Sequence, residues 1–240
     1  MKRVQPESRS IASDGGGGGK GFFRNVLVVG LQRVGTNYCS ALVEQNVAVD
    51  VIPSGNRSIA WKHAMPDEIG QNYSHTGLSV SQAVSERPDV AVVVITKNPY
   101  HWIESVRRYP ADLTYQRKGM FDKSDRLLLK PAIEFYNEFH RQWLRLGRYL
   151  TGIEFVQYES LLAAPEERIS MLASRFGLVR HSGFRPVERV YQTRQFTTER
   201  KLAYLNKDVN LPDHDVSQIN SALDKLVMDT LGYASDIAYR

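Results

Sequence analysis

Short apolar runs alternate with helix-like segments along most of the chain. Four runs are rich in apolar and β-branched residues and are predicted to be strands: 25–29, 47–52, 89–95 and 153–157. Residues 58–62 form a shorter extended piece. After its first residue, the run at 89–95 is apolar at successive positions, which is typical of a strand covered by helices on both faces of a parallel sheet.

Helical periodicity follows these strands. The segments predicted to be helical are 36–45, a segment that starts at Pro99, 131–150, 165–176 and 216–231. Pro99 and Pro165 suit the first turn of a helix, and Gly177 is typical of a helix end. Because strands alternate with helices, the sequence predicts an α/β fold with a central, mostly parallel sheet. Such sheets bind ligands at the carboxyl ends of their strands.

The first residues of the chain lack this pattern. Five consecutive glycines lie at 15–19, and glycine-rich segments are flexible. We predict a disordered tail and linker at 1–22 and a single domain at 23–240, since 240 residues suffice for one large core. The glycine run is not a Walker loop, because no strand precedes it and Gly21 follows Lys20 where Ser or Thr is required.

Composition narrows the class of protein only a little. Hydrophobic residues make up 42% and charged residues 24%, as in ordinary globular proteins. No apolar run approaches the roughly 20 residues that span a bilayer, and no secretory signal is apparent. The lone cysteine, Cys39, cannot form an internal disulfide. We therefore expect a cytoplasmic protein without a membrane span. The net charge of +5 favours an anionic ligand and does not indicate nucleic acid.

The segment between the first strand and its helix has the composition of an anion-binding loop. Backbone N–H groups and the helix dipole converge there, next to Gly30, Gly35 and Thr36. The glycines have Walker spacing, yet the Walker lysine is missing and Arg33 supplies the charge. The strong strand ends at Lys97, where a Mg²⁺-dependent phosphate-loop protein has an acidic residue. Two cationic strand ends predict a ligand with two separated phosphate-like groups and no metal.

This loop resembles the 5′-phosphosulfate loop of the sulfotransferase family, which reads roughly Pro-Lys/Arg-Ser-Gly-Thr. The matching residues are Gln32, Arg33, Val34, Gly35, Thr36, Asn37 and Tyr38. Gln32 and Val34 stand where the family has proline and serine. The resemblance implies a P-loop NTPase-like fold of sulfotransferase type. It also implies that Arg33, Thr36 and the loop amides bind the phosphosulfate of PAPS (3′-phosphoadenosine 5′-phosphosulfate), the co-substrate.

Two further segments resemble the family's 3′-phosphate site. Lys97 precedes an Asn-Pro pair and Ser105 follows eight residues later, which is the family's spacing with Lys in place of Arg. Arg200 and Lys201 are similar to the family's C-terminal basic loop. The resemblance implies that these four residues contact the 3′-phosphate of PAPS.

A fourth segment, residues 156–162, resembles the family's Val-x-Tyr-Glu-Asp-Leu-Leu sequence. On this resemblance Tyr158 joins the candidate donor site. The neighbouring Glu159 is an alternative catalytic acid or base, although we expect it to make structural hydrogen bonds. Together the matches span residues 24–233.

His63 is the candidate general base. Sulfuryl transfer needs an in-line nucleophile, a base for its proton and cations for the charge on the leaving oxygen. Imidazole titrates near neutral pH, although loop histidines are as often inert. Many sulfotransferases carry Lys-x-His-x-Pro near this position, whereas Lys62 and His63 are adjacent here. Lys62 either contacts the bridging oxygen or faces solvent. The other histidines, His101 among them, are given no role.

The sequence thus favours an enzyme that moves a sulfuryl group from PAPS to a hydroxyl or amine of an acceptor that the sequence does not identify, with a carbohydrate or a small metabolite as candidates. Residues 109–130 are predicted to form a lid over the acceptor. Two alternatives stay open. One is a phosphate-loop kinase of nucleotides or small molecules, which would need ATP and Mg²⁺. The other is a noncatalytic module that binds nucleotide or sulfated glycan. No nucleic-acid partner is expected, and no oligomeric state is indicated.

Overall fold

Four parallel strands form the central sheet in a computed structural model of the chain. The structure describes residues 23–52, 61–68, 78–108, 119–190 and 194–234. The strands are β1 (Asn25–Gly30), β2 (Asp50–Val51), β3 (Val90–Thr96) and β4 (Ile153–Gln157), in the spatial order β2-β1-β3-β4. The predicted α/β fold with a mostly parallel sheet is confirmed.

β1 and β3 lie side by side at the centre of the sheet. All seven residues of β3 are buried, as its continuous apolar run predicts. Val28 pairs with Val93 and Gly30 pairs with Ile95, so the two strands end level with each other. The loop after β1 and the turn after β3 therefore meet at one edge of the sheet.

Helices flank this sheet. In the described part of the chain they are α1 (Thr36–Asn46), α2 (Val80–Ser85), α3 (Pro99–Arg107), α4 (Leu129–Gly147), α5 (Tyr158–Ala163), α6 (Pro165–Phe176), α7 (Thr198–Leu205), α8 (Asp213–Ala222) and α9 (Lys225–Leu231). A small antiparallel hairpin consists of β5 (Arg189–Val190) and β6 (Arg194–Gln195). The predicted helix starts at Pro99 and Pro165 are confirmed, as is the helix end at Gly177, which has a φ of 62°.

The predicted strand at 47–52 is too long, since only Asp50–Val51 pairs with β1. Val47 ends α1 as its C-cap and forms an antiparallel bridge with Arg180. The next amide, that of Ala48, donates to the carbonyl of Val179 at 2.8 Å. The backbone of this segment is thus paired with the chain that follows α6, and only its end reaches the sheet.

The predicted helix at 216–231 is two helices, α8 and α9. Asp224 interrupts it by accepting the amide of Val227 at 3.3 Å, which caps α9. Asn137 of α4 satisfies the backbone at this break, accepting from the amide of Asp224 at 3.1 Å and donating to the carbonyl of Ala222 at 2.9 Å. The long helix predicted at 131–150 is α4, which begins and ends slightly earlier.

Large side chains of α3 and α4 fill the core beside the sheet. Trp102, Tyr136, Phe139 and Trp143 are fully buried, and each such burial stabilises the fold by about 2 kcal/mol. Cys39 is also buried, and burial raises the pKa of its thiol to about 12. It is a packing residue and not a reactive thiol.

Some sequence predictions lie outside the described residues. They are the tail and linker at 1–22, the first part of the extended piece at 58–62, and residues 109–118 of the proposed lid. Within the described ranges, none of the helices combines the length and the apolar character needed to cross a bilayer.

Candidate functional site

The loop between β1 and α1 has an unusual backbone. Arg33 and Gly35 have positive φ angles of 73° and 95°. For a residue with a side chain this left-handed conformation costs about 1 kcal/mol, so Arg33 needs support from its neighbours. Gly30 is required for another reason, because a Cβ there would lie 2.6 Å from the carbonyl oxygen of Ile95. The loop therefore leaves β1 in close contact with the end of β3.

Two side chains from the β3 side hold the loop. The indole Nε1 of Trp102 donates to the carbonyl of Gln32 at 3.0 Å, and Nζ of Lys97 donates to the carbonyl of Arg33 at 3.3 Å. Helix α1 then begins at Thr36, and Gly35 provides no side chain to cap it. The first amides of α1 and its dipole are directed at the same point, as in an anion-binding site.

Tyr158, at the start of α5, packs directly against Gly35. A Cβ added to Gly35 would overlap the Tyr158 ring. The position thus has two requirements that only glycine meets, which are a positive φ and the absence of a side chain.

Gly35→Ala is expected to weaken anion binding by the loop about ten- to a hundredfold, because the new methyl group forces the loop away from Tyr158. Gly183→Ala is the matched control, since Gly183 also has a positive φ, of 72°, but has open space around its Cβ position. Calorimetric titration with adenosine 3′,5′-bisphosphate (PAP) compares the two variants, and thermal unfolding corrects for stability. Equal affinities of the two variants would contradict this role of Gly35.

Lys97 lies at the end of β3 and is nearly buried, at 4% exposure. Its ammonium donates to Oγ of Ser105 at 2.7 Å in addition to the carbonyl of Arg33. The rings of Tyr158 and Tyr204 lie 5.5 and 5.1 Å from Nζ. Burial lowers the pKa of Lys97 to about 8.

His63 is fixed at the end of β1. The amide of Gly30 donates to the carbonyl of Lys62 at 2.9 Å, and Nδ1 of His63 lies 2.6 Å from the carbonyl of Gly30. A carbonyl only accepts, so Nδ1 carries the proton and Nε2 keeps its lone pair. Burial lowers the pKa of His63 to about 4; the Gly30 hydrogen bond opposes this shift and the Lys62 charge adds to it. The ring is therefore neutral at pH 7. The indole of Trp61 meets it edge-on at 5.1 Å.

These residues surround one cleft of about 810 Å³ at the carboxyl ends of β1 and β3. Ten of the residues assigned from the sequence line it: Arg33, Gly35, Thr36, Asn37, Tyr38, His63, Lys97, Ser105, Tyr158 and Arg200. The two cationic strand ends thus face the same space.

Three assigned residues do not line this cleft: Val34, Lys62 and Lys201. The side chain of Val34 is fully buried in the core, so only its backbone is left for a ligand. Nζ of Lys62 donates to Oδ1 of Asn37 at 2.5 Å, which holds it beside the first turn of α1. Nζ of Lys201 lies 5.3 Å from the ring of Tyr38.

The cleft also contains residues to which the sequence analysis gave no role. Those with polar or aromatic side chains include Trp61, His101, Glu104, Arg108, Tyr204 and Lys207. His101 lies on α3 four positions before Ser105, and Arg108, the C-cap of α3, lies three positions after it, so helical spacing from Ser105 could have identified both. Tyr204 and Lys207 have no such local signal.

The two acidic residues near Lys97 are already engaged. Glu104 accepts from Nζ of Lys207 at 2.5 Å and from the amide of Asn210 at 2.9 Å. Glu159 accepts from the amide of Asn98 and from the hydroxyls of two tyrosines, Tyr204 and Tyr233. The prediction that Glu159 makes structural hydrogen bonds is confirmed.

Positive charge dominates the cleft. Among the described lining residues five carry a cationic side chain, namely Arg33, Lys97, Arg108, Arg200 and Lys207, and one, Glu104, carries a carboxylate. No group of three or more potential metal ligands occurs in the ranges that the structure describes. The arrangement is suited to a ligand with several negative charges.

Comparison with known proteins identifies the fold. No protein-family model matches the sequence, and no match is found among curated proteins. The chain is similar to the solved sulfotransferase domain from the curacin biosynthetic pathway, with a TM-score of 0.53, 11% identity and coverage of 87% of this chain and 97% of that chain. It is equally similar to a sulfotransferase from Alicyclobacillus acidocaldarius, with a TM-score of 0.53, 10% identity and coverage of 88% and 96%. The chain has the fold of the sulfotransferases, which supports the resemblance found in its motifs.

Proposed function

We propose that this chain transfers a sulfuryl group from PAPS to a hydroxyl or amine of a small molecule, such as a carbohydrate or another metabolite. One observation carries the proposal. Arg33 and Lys97 follow different strands, and yet they line one cleft in a fold shared with sulfotransferases. A ligand with a phosphosulfate at one end and a phosphate at the other matches this cleft, which has Arg33 after β1 and, near Lys97 after β3, the exposed Arg108.

The residues present fit PAPS in charge and in size. The five cations exceed the single carboxylate, and that carboxylate is already bonded to Lys207 and to the amide of Asn210. A cleft of about 810 Å³ lies in the range of cavities that hold nucleotide-sized ligands. The uncapped start of α1 beside Arg33 suits the phosphosulfate end.

PAPS supplies an activated sulfuryl group. In the proposed reaction Arg33 and the loop amides stabilise the negative charge on the leaving phosphate. His63 accepts the proton of the acceptor at Nε2, since Nδ1–H is held by the carbonyl of Gly30. Lys62, held by Asn37, adds positive charge next to the start of α1.

A phosphate-loop kinase is the alternative, and the end of β3 argues against it. Thr96 is within hydrogen-bond distance of the hydroxyl of Tyr233, at 3.1 Å, and the following residue is the buried Lys97. A cation at this position opposes the binding of Mg²⁺ between strand and loop.

PAP is expected to bind more tightly than ATP with Mg²⁺, because the cleft has a cation for each end of PAP and no acidic residue at the end of β3. Calorimetric titration of both nucleotides at pH 7 measures this. Tighter binding of ATP with Mg²⁺ would favour a kinase. If PAP binds and labelled PAPS releases no PAP with saccharides, phenols, lipids or amines, the noncatalytic module gains support.

The proposal treats residues 23–240 as one catalytic domain that acts in the cytoplasm. The similarity of 87% of this chain to 97% of a solved sulfotransferase domain supports a single unit. Neither a nucleic-acid partner nor a resident metal is part of the proposal.

A further inference from the structure

The ammonium group of Lys97 donates hydrogen bonds to groups of the protein itself. Two of its N–H groups are directed to the carbonyl of Arg33 at 3.3 Å and to Oγ of Ser105 at 2.7 Å. The rings of Tyr158 and Tyr204 lie within 5.5 Å of the same nitrogen. At 4% exposure, the side chain has little surface left for a ligand.

These contacts form a continuous connection from helix α3 to the anion loop. The hydroxyl of Ser105 donates to the carbonyl of His101 at 2.8 Å, so its oxygen is oriented to accept from Lys97. Lys97 in turn donates to the carbonyl of Arg33, the loop residue with a φ of 73°. A charge-assisted bond to that carbonyl stabilises a conformation that a residue with a side chain seldom adopts.

We propose that Lys97 is a positioning residue that holds Arg33 and the anion loop in their binding conformation, so that its effect on the ligand passes through the loop. The inference rests on the proposed function. This positioning role of Lys97 differs from the direct contact with the 3′-phosphate that the sequence resemblance implies. The direct contact falls instead to Arg108, which is exposed at the end of α3 and lines the same cleft.

The charge of Lys97 is sensitive to pH. Burial lowers its pKa to about 8; Glu159 of α5 and Glu104 of α3 oppose this shift, and the cations Arg33 and Arg108 add to it. His101 of α3 also faces Lys97. Because the ammonium is lost as the pH rises through about 8, the bond to the Arg33 carbonyl weakens above that pH. The loop is then expected to bind anions less tightly.

Two nucleotides that differ by one phosphate can show whether Lys97 positions the loop or contacts the 3′-phosphate directly. PAPS has a 3′-phosphate and adenosine 5′-phosphosulfate lacks it, so only the loop contacts are common to both. Lys97→Met is expected to lower both affinities by a similar factor of about ten or more, since it removes a charged donor from the loop. A loss for PAPS alone would overturn the inference and leave the proposed function intact.

Arg108→Met is the matched variant from the same end of the cleft. It is expected to lower the affinity for PAPS about tenfold or more and to leave that for adenosine 5′-phosphosulfate unchanged. An equal loss for both nucleotides would show that Arg108, too, acts on the loop, and would overturn the division of roles. If the wild-type protein binds neither nucleotide at pH 7, the proposed function fails together with the inference.

A pH titration of the wild-type protein tests the inference without a variant. Its affinity for adenosine 5′-phosphosulfate is expected to fall between pH 7 and pH 9 with a midpoint near the pKa of about 8, and Lys97→Met is expected to remove this dependence. An affinity that stays constant up to the highest pH at which the protein remains folded would contradict the proposal even if the variant did not fold.

Discussion

His63→Asn is expected to lower turnover about 10²- to 10⁴-fold and to leave the affinity for PAP unchanged. The asparagine amide can still donate to the carbonyl of Gly30, as Nδ1 of His63 does at 2.6 Å, so the local backbone is retained. What disappears is Nε2, the nitrogen that keeps a lone pair. Turnover is measured with labelled PAPS once an acceptor is found, and affinity by calorimetric titration with PAP.

His181→Ala is the control for this variant, since His181 is exposed and does not line the cleft. Near-normal turnover of His63→Asn at neutral pH would mean that the base is another residue. The pH profile gives a second check. The proposed base acts as a neutral imidazole and burial lowers the pKa of His63 to about 4, so on the acid side kcat/KM should stay level until the pH drops towards 4. A fall centred near 6.5 would point to an ordinary exposed histidine.

Arg33→Gly is expected to lower turnover about 10²- to 10³-fold, with a smaller loss of affinity for PAP. Arg33 lines the cleft just before the start of α1. In the proposed reaction negative charge grows there on the leaving phosphate, so the guanidinium is expected to contribute most in the transition state. Glycine is chosen because it tolerates the φ of 73° at this position. The variant therefore removes the side chain without disturbing the loop.

Two companion variants separate charge from backbone. Arg33→Lys keeps the charge and should recover part of the turnover, whereas Arg33→Ala adds backbone strain and should lose more affinity for PAP than Arg33→Gly does. The measurements are kcat with saturating PAPS and the dissociation constant of PAP. Turnover of Arg33→Gly close to that of the wild-type protein would rule out a catalytic role for this side chain.

Local sequence predicted the strands and helices where one physical signal dominated. The continuous apolar run predicted β3, and Pro99 predicted the start of α3; the structure has both elements at these positions. The prediction was wrong where a local pattern met a competing tertiary partner. Val47 is β-branched, yet it pairs with Arg180 outside the sheet, and the apparent helix at 216–231 is broken because Asp224 and Asn137 form a cap.

The candidate site was predictable from the sequence where its residues lie close together along the chain. Gly30, Arg33 and Gly35 lie within six residues, so their spacing and backbone requirements can be read along the chain. Ten of the assigned residues do line one cleft. Val34 does not, because the loop turns its side chain into the core, a direction that sequence spacing does not specify.

The sequence by itself determined that a cation follows each of the two central strands, since the strand ends and the residues beyond them are local features. Only the tertiary structure decided what those cations contact. Lys97 donates to a carbonyl 64 positions away, and Lys207 reaches a carboxylate 103 positions away. Such distances depend on how β1, β3 and the segment after α7 pack together, and no local pattern of residues encodes them.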